Sequence, residues 1–175
     1  FEASQMNYFT RPDEPGLSIT GELTLGCWVW FDTESTNAAT GLLSKWDTND
    51  EWSYVLYKTA GNVLTFGVST DGTTAVTIGD AAANYAISRW LYVVGRFTPN
   101  SEMALFINGT WYTDLTDIPG SIYDGTAAFD IGIYRSSDGV AVYAMCVWVV
   151  TWTGRVEQHT GDLSKRDRDG PHAQA

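Results

Sequence analysis

The sequence predicts an all-β protein built as a two-sheet antiparallel β-sandwich. Two segments, residues 23–31 (LTLGCWVWF) and 140–152 (VAVYAMCVWVVTW), carry large apolar side chains at both odd and even positions. Strands of this kind need cover on both faces, so we expect both to be central strands. No stretch keeps an apolar stripe of helical period over several turns. Helix is therefore expected to be minor, with one turn near residues 81–85 and a short helix near 155–160.

Turn signals divide the rest of the chain into short strands. Asn108-Gly109 stands between two segments of alternating hydrophobicity, a pattern typical of a two-residue type I′ hairpin. Asp71-Gly72 predicts a second hairpin in the same way. The strands predicted around these turns and between other polar clusters span residues 53–57, 63–68, 75–78, 90–97, 103–107, 110–113 and 128–133. About a dozen short antiparallel strands in one domain specify a sandwich or jelly roll.

Size and charge narrow the class of protein. The chain has 175 residues, 44% of them hydrophobic, which suffices for one well-packed domain and is too short for two of ordinary size. Its 21 acidic and 10 basic side chains give a formal charge of −11, which repels nucleic-acid phosphates and anionic lipid. Because of this charge we expect no nucleic-acid partner. No run of about 18 apolar residues is present, so we also expect no membrane insertion. Abundant Asp and Thr with few Lys residues suit an extracellular, virion-surface or high-salt setting.

The two ends of the chain differ from its centre. The sequence starts at Phe1 without an initiator Met, so we interpret it as a mature or excised part of a longer protein. Residues 162–175 (DLSKRDRDGPHAQA) lose apolar side chains and gain alternating charge, Gly and Pro. Such a segment is typical of a linker, a polar tail or a frayed terminus. The compact domain is thus expected at residues 1–161.

The two cysteines, Cys27 and Cys146, lie one in each of the doubly apolar segments. A disulfide requires the two strands to be neighbours in register, with both side chains on one face. Buried free thiols are the alternative, because free Cys is among the most buried residue types. Both arrangements remain open at this point.

Several short phrases along the chain follow a recognisable order. They are an aromatic-led segment at residues 1–9, LTLGCWV at 23–29, LSKWD at 43–47, WLYVVG at 90–95, LFING at 105–109, Ile131-Gly132 and a closing strand at 145–150. In this order and spacing they resemble the laminin-G-like branch of the concanavalin A-like lectin/glucanase jelly rolls. The resemblance implies a jelly-roll domain over residues 1–161 and a role in recognition.

The resemblance also raises the question of a metal. Members of that family commonly carry acidic residues at the start of the closing strand, where they help to hold a structural calcium, whereas Met145 and Cys146 stand there in this chain. Calcium requires several converging oxygen ligands, which these side chains do not supply. The acidic stretch 47–51 (DTNDE) lacks the spacing of a dedicated calcium loop and is interpreted as a solvated turn. We therefore predict no cofactor and no metal site, with a structural calcium as the alternative that the resemblance leaves open.

Catalytic groups are not arranged for a known reaction. Glycoside hydrolysis needs two facing carboxylates, and no predicted strand carries acidic residues at alternate positions. Glu22, Glu102 and Glu157 are scattered, and both histidines, His159 and His172, fall in the polar C-terminal region. A serine or cysteine nucleophile would need one of these histidines at the centre of the sandwich. The sequence therefore predicts a protein that is not an enzyme.

Binding is the remaining class of function. Sugar rings present apolar C–H faces, so glycan sites pair flat aromatic rings with polar side chains. The candidate ligand-binding residues, each an aromatic or Arg side chain beside a polar loop, are Trp46, Trp52, Trp111, Tyr112, Tyr134 and Arg135. Packing at the rim of the sandwich is the alternative role for each. We expect a glycan or surface polymer as the partner.

The tryptophans of the two doubly apolar segments support a second hypothesis. If Trp28, Trp30, Trp148 and Trp152 share one sheet face, they form an apolar patch larger than a monomer normally exposes. The chain's own second sheet or N-terminal segment is one cover for it. Another protein subunit is the other, which would make the domain a structural assembly or decoration module of a virion or cell-surface polymer.

Overall fold

A computed structural model describes residues 8–31, 39–80, 89–133, 135–136, 139–140 and 145–152, with side chains placed up to residue 133 and at 135. The regular elements within these ranges are thirteen strands. They are β1 (Phe9–Arg11), β2 (Leu23–Trp30), β3 (Thr40–Lys45), β4 (Trp52–Lys58), β5 (Leu64–Gly72), β6 (Ala75–Gly79), β7 (Trp90–Thr98), β8 (Glu102–Ile107), β9 (Thr110–Asp114), β10 (Phe129–Ile131), β11 (Arg135–Ser136), β12 (Gly139–Val140) and β13 (Met145–Trp152). The predicted helices near residues 81–85 and 155–160 and the predicted tail fall outside the described residues and stay predictions.

The strands form two main antiparallel sheets, so the predicted two-sheet β-sandwich is confirmed. One sheet has six strands in the order β1-β10-β3-β4-β5-β6, and the other has five in the order β13-β2-β7-β8-β9. The short strands β11 and β12 pair with each other. Buried side chains of both main sheets join in one core, which includes Leu25, Val93 and Leu105 from the five-stranded sheet and Leu56 and Phe66 from the six-stranded one.

A glycine of one sheet faces an aromatic ring of the other. A Cβ atom added to Gly95 of β7 would lie 2.5 Å from Phe66 Cγ and 3.0 Å from Phe66 Cβ on β5. Gly95 shares the inner face of its sheet with Val93 and Phe97, which alternate with it and are fully buried. The Phe66 ring therefore occupies the space that a side chain at position 95 would need.

The expectation that both doubly apolar segments are central strands is confirmed for the first and stays a prediction for the second. β2 lies between β13 and β7, whereas β13 ends the order of the five-stranded sheet among the described strands. On β2 the inward side chains, Leu25, Cys27 and Val29, are completely buried, while the outward Trp28 keeps 42% of its surface exposed. The second apolar face of β2 is thus an aromatic surface that remains accessible.

The register between β13 and β2 bears on the two cysteines. Cys146 lies opposite Val29 and Val149 lies opposite Cys27, with a register shift between positions 146 and 149. The cysteines are therefore offset along the two neighbouring strands and do not face each other across the ladder. Cys27 itself is buried in the core between the sheets.

The Asn108-Gly109 hairpin is confirmed in its details. Both residues have positive φ, 44° and 100°, as a type I′ turn requires, and Ile107 pairs with Thr110 directly across it. The Asn108 backbone N–H donates to Tyr92 O at 3.1 Å, and Asn108 Oδ1 accepts the Tyr92 N–H at 2.7 Å. This turn therefore also ties the hairpin to β7.

The Asp71-Gly72 hairpin is confirmed as a connection, but its turn is longer than predicted. The ladder closes at Ser69 opposite Ala75, which leaves a five-residue loop of residues 70–74. Gly72 has a φ of 85° and pairs with Trp52, while Asp71 does not have a positive φ. A Cβ atom at Gly72 would lie 2.9 Å from a Tyr123 ring carbon. The loop is therefore shaped by contacts with other segments as well as by its own two turn residues.

Asp71 holds the start of this loop through its carboxylate. Asp71 Oδ1 accepts hydrogen bonds from the backbone N–H groups of Thr73 at 2.8 Å and Thr74 at 2.7 Å. These bonds, led by that from Thr73, hold the pKa of Asp71 well below its ordinary value. The carboxylate must therefore stay ionised in the folded protein to pH values at which an unfolded chain would already bind the proton.

Replacing Asp71 by Ala is expected to lower stability at neutral pH and to have a smaller effect in acid. Because the folded-state pKa is depressed, the contribution of Asp71 is present above its unfolded pKa of about 3.9 and is lost as pH falls through the folded value. Urea unfolding of both proteins at about pH 7 and about pH 3 measures the difference. An Asp71→Ala effect that is equal at the two pH values would contradict this role.

Candidate functional site

The outer face of the five-stranded sheet carries a line of aromatic rings, which we call the aromatic row. It consists of Trp28, Tyr92, Phe106 and Trp111, one each from β2, β7, β8 and β9. Neighbouring ring centroids are 5.1 Å apart for Trp28 and Tyr92, 6.1 Å for Tyr92 and Phe106, and 5.0 Å for Phe106 and Trp111. The row therefore crosses four adjacent strands without a gap.

Strand alternation and register place these rings together. Trp28 lies opposite Tyr92, and Phe106 lies opposite Trp111, so each pair shares one face of its ladder. Tyr92 and Phe106 are half-buried, whereas Trp28 and Trp111, at the two ends of the row, keep 42% and 48% of their surfaces exposed. The row thus has an accessible indole at each end and two partly covered rings between them.

A second pair of indoles widens this face. Trp30 pairs with Trp90 across β2 and β7, with ring centroids 5.6 Å apart in an edge-on arrangement. Trp90 is also exposed. Trp30 and Trp90 lie two residues along β2 and β7 from Trp28 and Tyr92, so this pair lies on the same face of the sheet as the row.

The charge beside the row is balanced. The Arg96 guanidinium lies over the Trp111 ring, 4.9 Å from its centroid, in a cation–π contact. Arg96 also donates from Nε to Glu102 Oε1 at 2.9 Å, and a second, shorter hydrogen bond joins its Nη2 to the same oxygen. Glu102 therefore neutralises the cation while both groups keep polar atoms near the exposed end of the row.

Two predicted binding residues are neighbours in sequence and lie on opposite faces. Trp111 joins the aromatic row on the outer face. Tyr112 pairs with the fully buried Leu105 and packs against the core. Tyr112 is therefore part of the support beneath the sheet, and Trp111 is the member of this pair that a ligand can reach.

The predicted pair at the acidic turn, Trp46 and Trp52, forms a stack at the rim of the six-stranded sheet. Their ring centroids are 4.8 Å apart and their planes differ by 15°. Trp46 keeps only 3% of its surface exposed, whereas Trp52 is half-buried. Trp46 offers no open ring face to a ligand, and Trp52 presents the accessible part of the stack.

The LSKWD phrase has a structural use at each of its first four positions. Leu43 is in the core, and Ser44 Oγ donates to Ile133 O at 3.0 Å. Lys45 is completely buried, forms an ion pair with Asp13 Oδ1 at 2.9 Å and donates to the Gly125 carbonyl. With Trp46 stacked on Trp52, the phrase joins β3 to residues 13, 52, 125 and 133.

A buried tyrosine, Tyr54, adds to the polar contacts made by Lys45 and Asp13. Tyr54 lies opposite Lys45, and its hydroxyl donates to Leu17 O at 3.0 Å. Burial, with a smaller contribution from the Asp13 charge, raises the pKa of Tyr54 far above its ordinary value, so the hydroxyl keeps its proton and remains a donor. Lys45 and Tyr54 thus fix residues 13–17 against the sheet.

Arg135 is engaged with the protein itself. Its Nε donates to Oδ2 of the fully buried Asp130 at 2.6 Å, and its guanidinium lies 5.7 Å from the centroid of the Tyr8 ring. The hydrogen bond that Arg135 donates to Asp130 raises the pKa of Arg135 above its ordinary value. Arg135 therefore neutralises a buried carboxylate, and the predicted site residue beside it, Tyr134, lies outside the described residues.

The acidic turn uses its carboxylates for local hydrogen bonds. Asp47 Oδ1 accepts from Thr48 Oγ1 at 3.1 Å and from Asn49 Nδ2 at 3.3 Å. Glu51 Oε2 accepts the Thr126 N–H at 2.5 Å.

Across the described ranges, no group of three or more His, Cys, Asp or Glu side chains is placed to hold a metal ion. In the same part of the chain, no helix has the length and hydrophobicity to cross a membrane.

The sequence predicts Trp111 as a binding residue and does not single out its neighbours in the structure. Tyr92, Phe106 and Arg96 fall within predicted strands and are not among the candidate binding residues. The signal for Phe106 was available, because a two-residue turn at Asn108-Gly109 puts Phe106 opposite Trp111. No local signal places Trp28 beside Tyr92, since that contact depends on which strands become neighbours.

Comparison with known proteins finds similarity in structure and not in sequence. No protein-family model and no curated protein matches the chain. The binding domain of botulinum neurotoxin serotype G aligns with a TM-score of 0.60 at 11% identity, covering 83% of this chain and 36% of that one. The binding domain of Paraclostridial Mosquitocidal Protein 1 aligns with a TM-score of 0.60 at 10% identity, covering 82% and 38%.

A third similar structure comes from botulinum neurotoxin type C, whose cell entry is described as dependent on interaction with two ganglioside molecules. It aligns with a TM-score of 0.59 at 13% identity and covers 81% of this chain. This chain spans 36% of that structure, and little more than a third of the other two. The fold is therefore a β-sandwich similar to part of these toxin binding domains, and at these identities the similarity concerns the fold alone.

Proposed function

We propose that this protein is a non-catalytic recognition module that binds carbohydrate on the outer face of its five-stranded sheet. The observation that carries the proposal is the aromatic row, with exposed indoles at both ends and the Arg96–Glu102 pair beside it. Flat rings match the apolar faces of sugars, and the nearby polar groups match sugar hydroxyls. The setting that suits this role is outside a cell or on the surface of a particle, with a glycan or surface polymer as partner.

The comparisons support the proposal at the level of fold. The similar structures are binding domains of toxins, and one of them is described in complex with SialylT. The ordered phrases that resemble laminin-G-like jelly rolls point in the same direction, because such sandwiches often serve as recognition modules. Neither line of support identifies the ligand, so the proposal rests mainly on the aromatic row.

Replacing Trp111 by Ala is expected to reduce glycan affinity about tenfold or more, because it removes an exposed stacking surface and the partner of Arg96. A glycan array, with and without calcium, first identifies a binding saccharide, and titration of the variants then measures affinity. Phe9→Ala is the matched control, since it removes an exposed aromatic ring from the other sheet. Equal losses in the two variants, or no glycan bound by the parent protein, would overturn the proposal.

Subunit assembly through the same face is the second candidate function. Its support is the exposure of Trp28, Trp90 and Trp111 on one side of one sheet. An assembly module would form a defined oligomer, measured by light scattering, and Trp28→Ala would shift it toward monomer. A monomeric protein that binds glycan would reject this alternative.

A further inference from the structure

We infer that the aromatic row accepts a linear, neutral polysaccharide laid across the strands, with successive sugar rings over β2, β7, β8 and β9. This inference rests on the proposed carbohydrate-binding function and specifies the ligand of that site. It is argued from the spacing of the rings, from the charge beside them and from the area of the face.

The spacing of the row matches a chain of linked rings. The three steps between neighbouring centroids, 5.1, 6.1 and 5.0 Å, follow the separation of adjacent strands, which is about 4.8 Å. Successive pyranose rings in an extended polysaccharide repeat at a similar interval. The exposed indoles, Trp28 and Trp111, are separated by the two inner rings, so a disaccharide can contact one of them and a longer chain can contact both.

The charge beside the row favours a neutral chain. Arg96, the cation that touches the row, is already paired with Glu102. The whole protein carries a formal charge of −11, which repels a polymer of carboxylates or sulfates. A neutral glycan avoids this repulsion, and its hydroxyls can still reach the Arg96 and Glu102 polar atoms near Trp111.

Among the side chains that the structure describes, the exposed area of the face favours a narrow ligand over a second copy of the protein. The exposed parts of Trp28, Trp90 and Trp111 amount to a few hundred Å² at most, because each ring is less than half exposed. A standard protein–protein interface buries about 800 Å² on each partner. A single polysaccharide chain can cover the row without requiring contacts beyond it.

The test is the dependence of affinity on chain length. Calorimetric titration would use neutral cello-, manno- and xylo-oligosaccharides, each from disaccharide to hexasaccharide, with hyaluronan and heparin fragments of matched length as anionic probes. For one neutral series we expect affinity to rise by about two- to tenfold for each added ring up to the tetrasaccharide and then to level off. Light scattering in the same buffers reports any dimer.

Two variants at the ends of the row sharpen the test. Trp28→Ala and Trp111→Ala should each weaken hexasaccharide binding, and each should make affinity level off at a shorter chain. At most one of them should weaken disaccharide binding, and Phe9→Ala should change neither. Thermal unfolding checks that the variants remain folded.

The possible outcomes separate this inference from the proposed function. A disaccharide that binds as tightly as the hexasaccharide, or an anionic fragment that binds more tightly than its neutral counterpart, would overturn the inference and leave carbohydrate binding intact. No binding of any glycan would overturn the proposed function itself, and a dimer broken by Trp28→Ala would then favour subunit assembly through this face.

Discussion

Replacing Gly95 by Ala is expected to destabilise the fold by about 3 kcal/mol, the upper part of the usual range for overpacking. The added methyl carbon would lie 2.5 Å from Phe66 Cγ and 3.0 Å from Phe66 Cβ. The first distance is shorter than non-bonded contacts of Cβ atoms in proteins, and the second is at their lower limit. Gly is intrinsically unfavourable within a strand, by about 0.5–1 kcal/mol relative to Ala, so the substitution also brings a small gain. The collision is the larger effect because both residues belong to packed inner faces and neither backbone can move away alone.

Urea unfolding measures this effect as a lower midpoint with an unchanged slope. Gly16→Ala is the matched control, because nothing lies within 4 Å of a Cβ atom at that position. Adding Phe66→Leu to Gly95→Ala should recover part of the loss, so that the double variant is more stable than the sum of the single effects predicts. Equal stability of the Gly95→Ala and Gly16→Ala proteins would show that the sheets do not meet at this point.

Local rules predicted the parts of the fold that depend on short stretches of chain. The Asn108-Gly109 turn formed as expected because both residues tolerate positive φ and two alternating strands flank them. The same rule predicted the connection at Asp71-Gly72 but not the length of its loop. That length depends on Gly72 pairing with Trp52 of β4, a strand outside the β5–β6 hairpin, and no local pattern encodes this pairing.

The candidate site was predicted only in part, because local patterns do not determine which segments become neighbours. Trp111 and Tyr112 both looked suitable by residue type, but strand alternation puts them on opposite faces, and the burial of Leu105 opposite Tyr112 decides which face is the core. The sequence raises the hypothesis that Trp28, Trp30, Trp148 and Trp152 share one sheet face, and the side chains of the last two lie outside the described part of the chain. The contact partners of the first two, Tyr92 and Trp90, depend on β2 and β7 being neighbours, and strand order is a property of the whole chain.

Two of the predicted binding residues, Arg135 and Trp46, were the hardest to interpret from sequence. Arg135 looks like a surface ligand in its polar loop, yet it pairs with Asp130, which is fully buried. Trp46 looks like a loop aromatic, yet it is packed under the rim. In both cases the partner, Asp130 or Trp52, is close in sequence. What residue type does not show is the burial of Asp130 and of Trp46 itself, so residue type alone suggested binding where the fold uses the side chain for its own stability.

Replacing Lys45 by Met is expected to destabilise the protein by about 3 kcal/mol, the lower end of the range for breaking a buried ion pair. Met preserves most of the side-chain volume but removes the ammonium group that holds Asp13 and the Gly125 carbonyl. The Lys45 side chain has no exposed surface, whereas Asp13 keeps 32% of its side chain exposed and can be partly rehydrated, which limits the loss. The expected effect therefore combines a lost ion pair with a carbonyl left without its donor.

The matched control is the exposed ion pair of the same N-terminal segment. Arg11 pairs with Glu14 at 2.8 Å, and both side chains reach water, with 66% and 39% of their surfaces exposed, so Arg11→Met should change stability by less than about 1 kcal/mol. Urea unfolding of the two variants compares a buried lysine with an exposed arginine under the same conditions. Because Lys45 joins β3 to residue 13 and to the loop at residue 125, its loss should also increase hydrogen exchange in both segments. If Lys45→Met matched Arg11→Met in both measurements, the buried ion pair would not be what fastens these segments to the sheet.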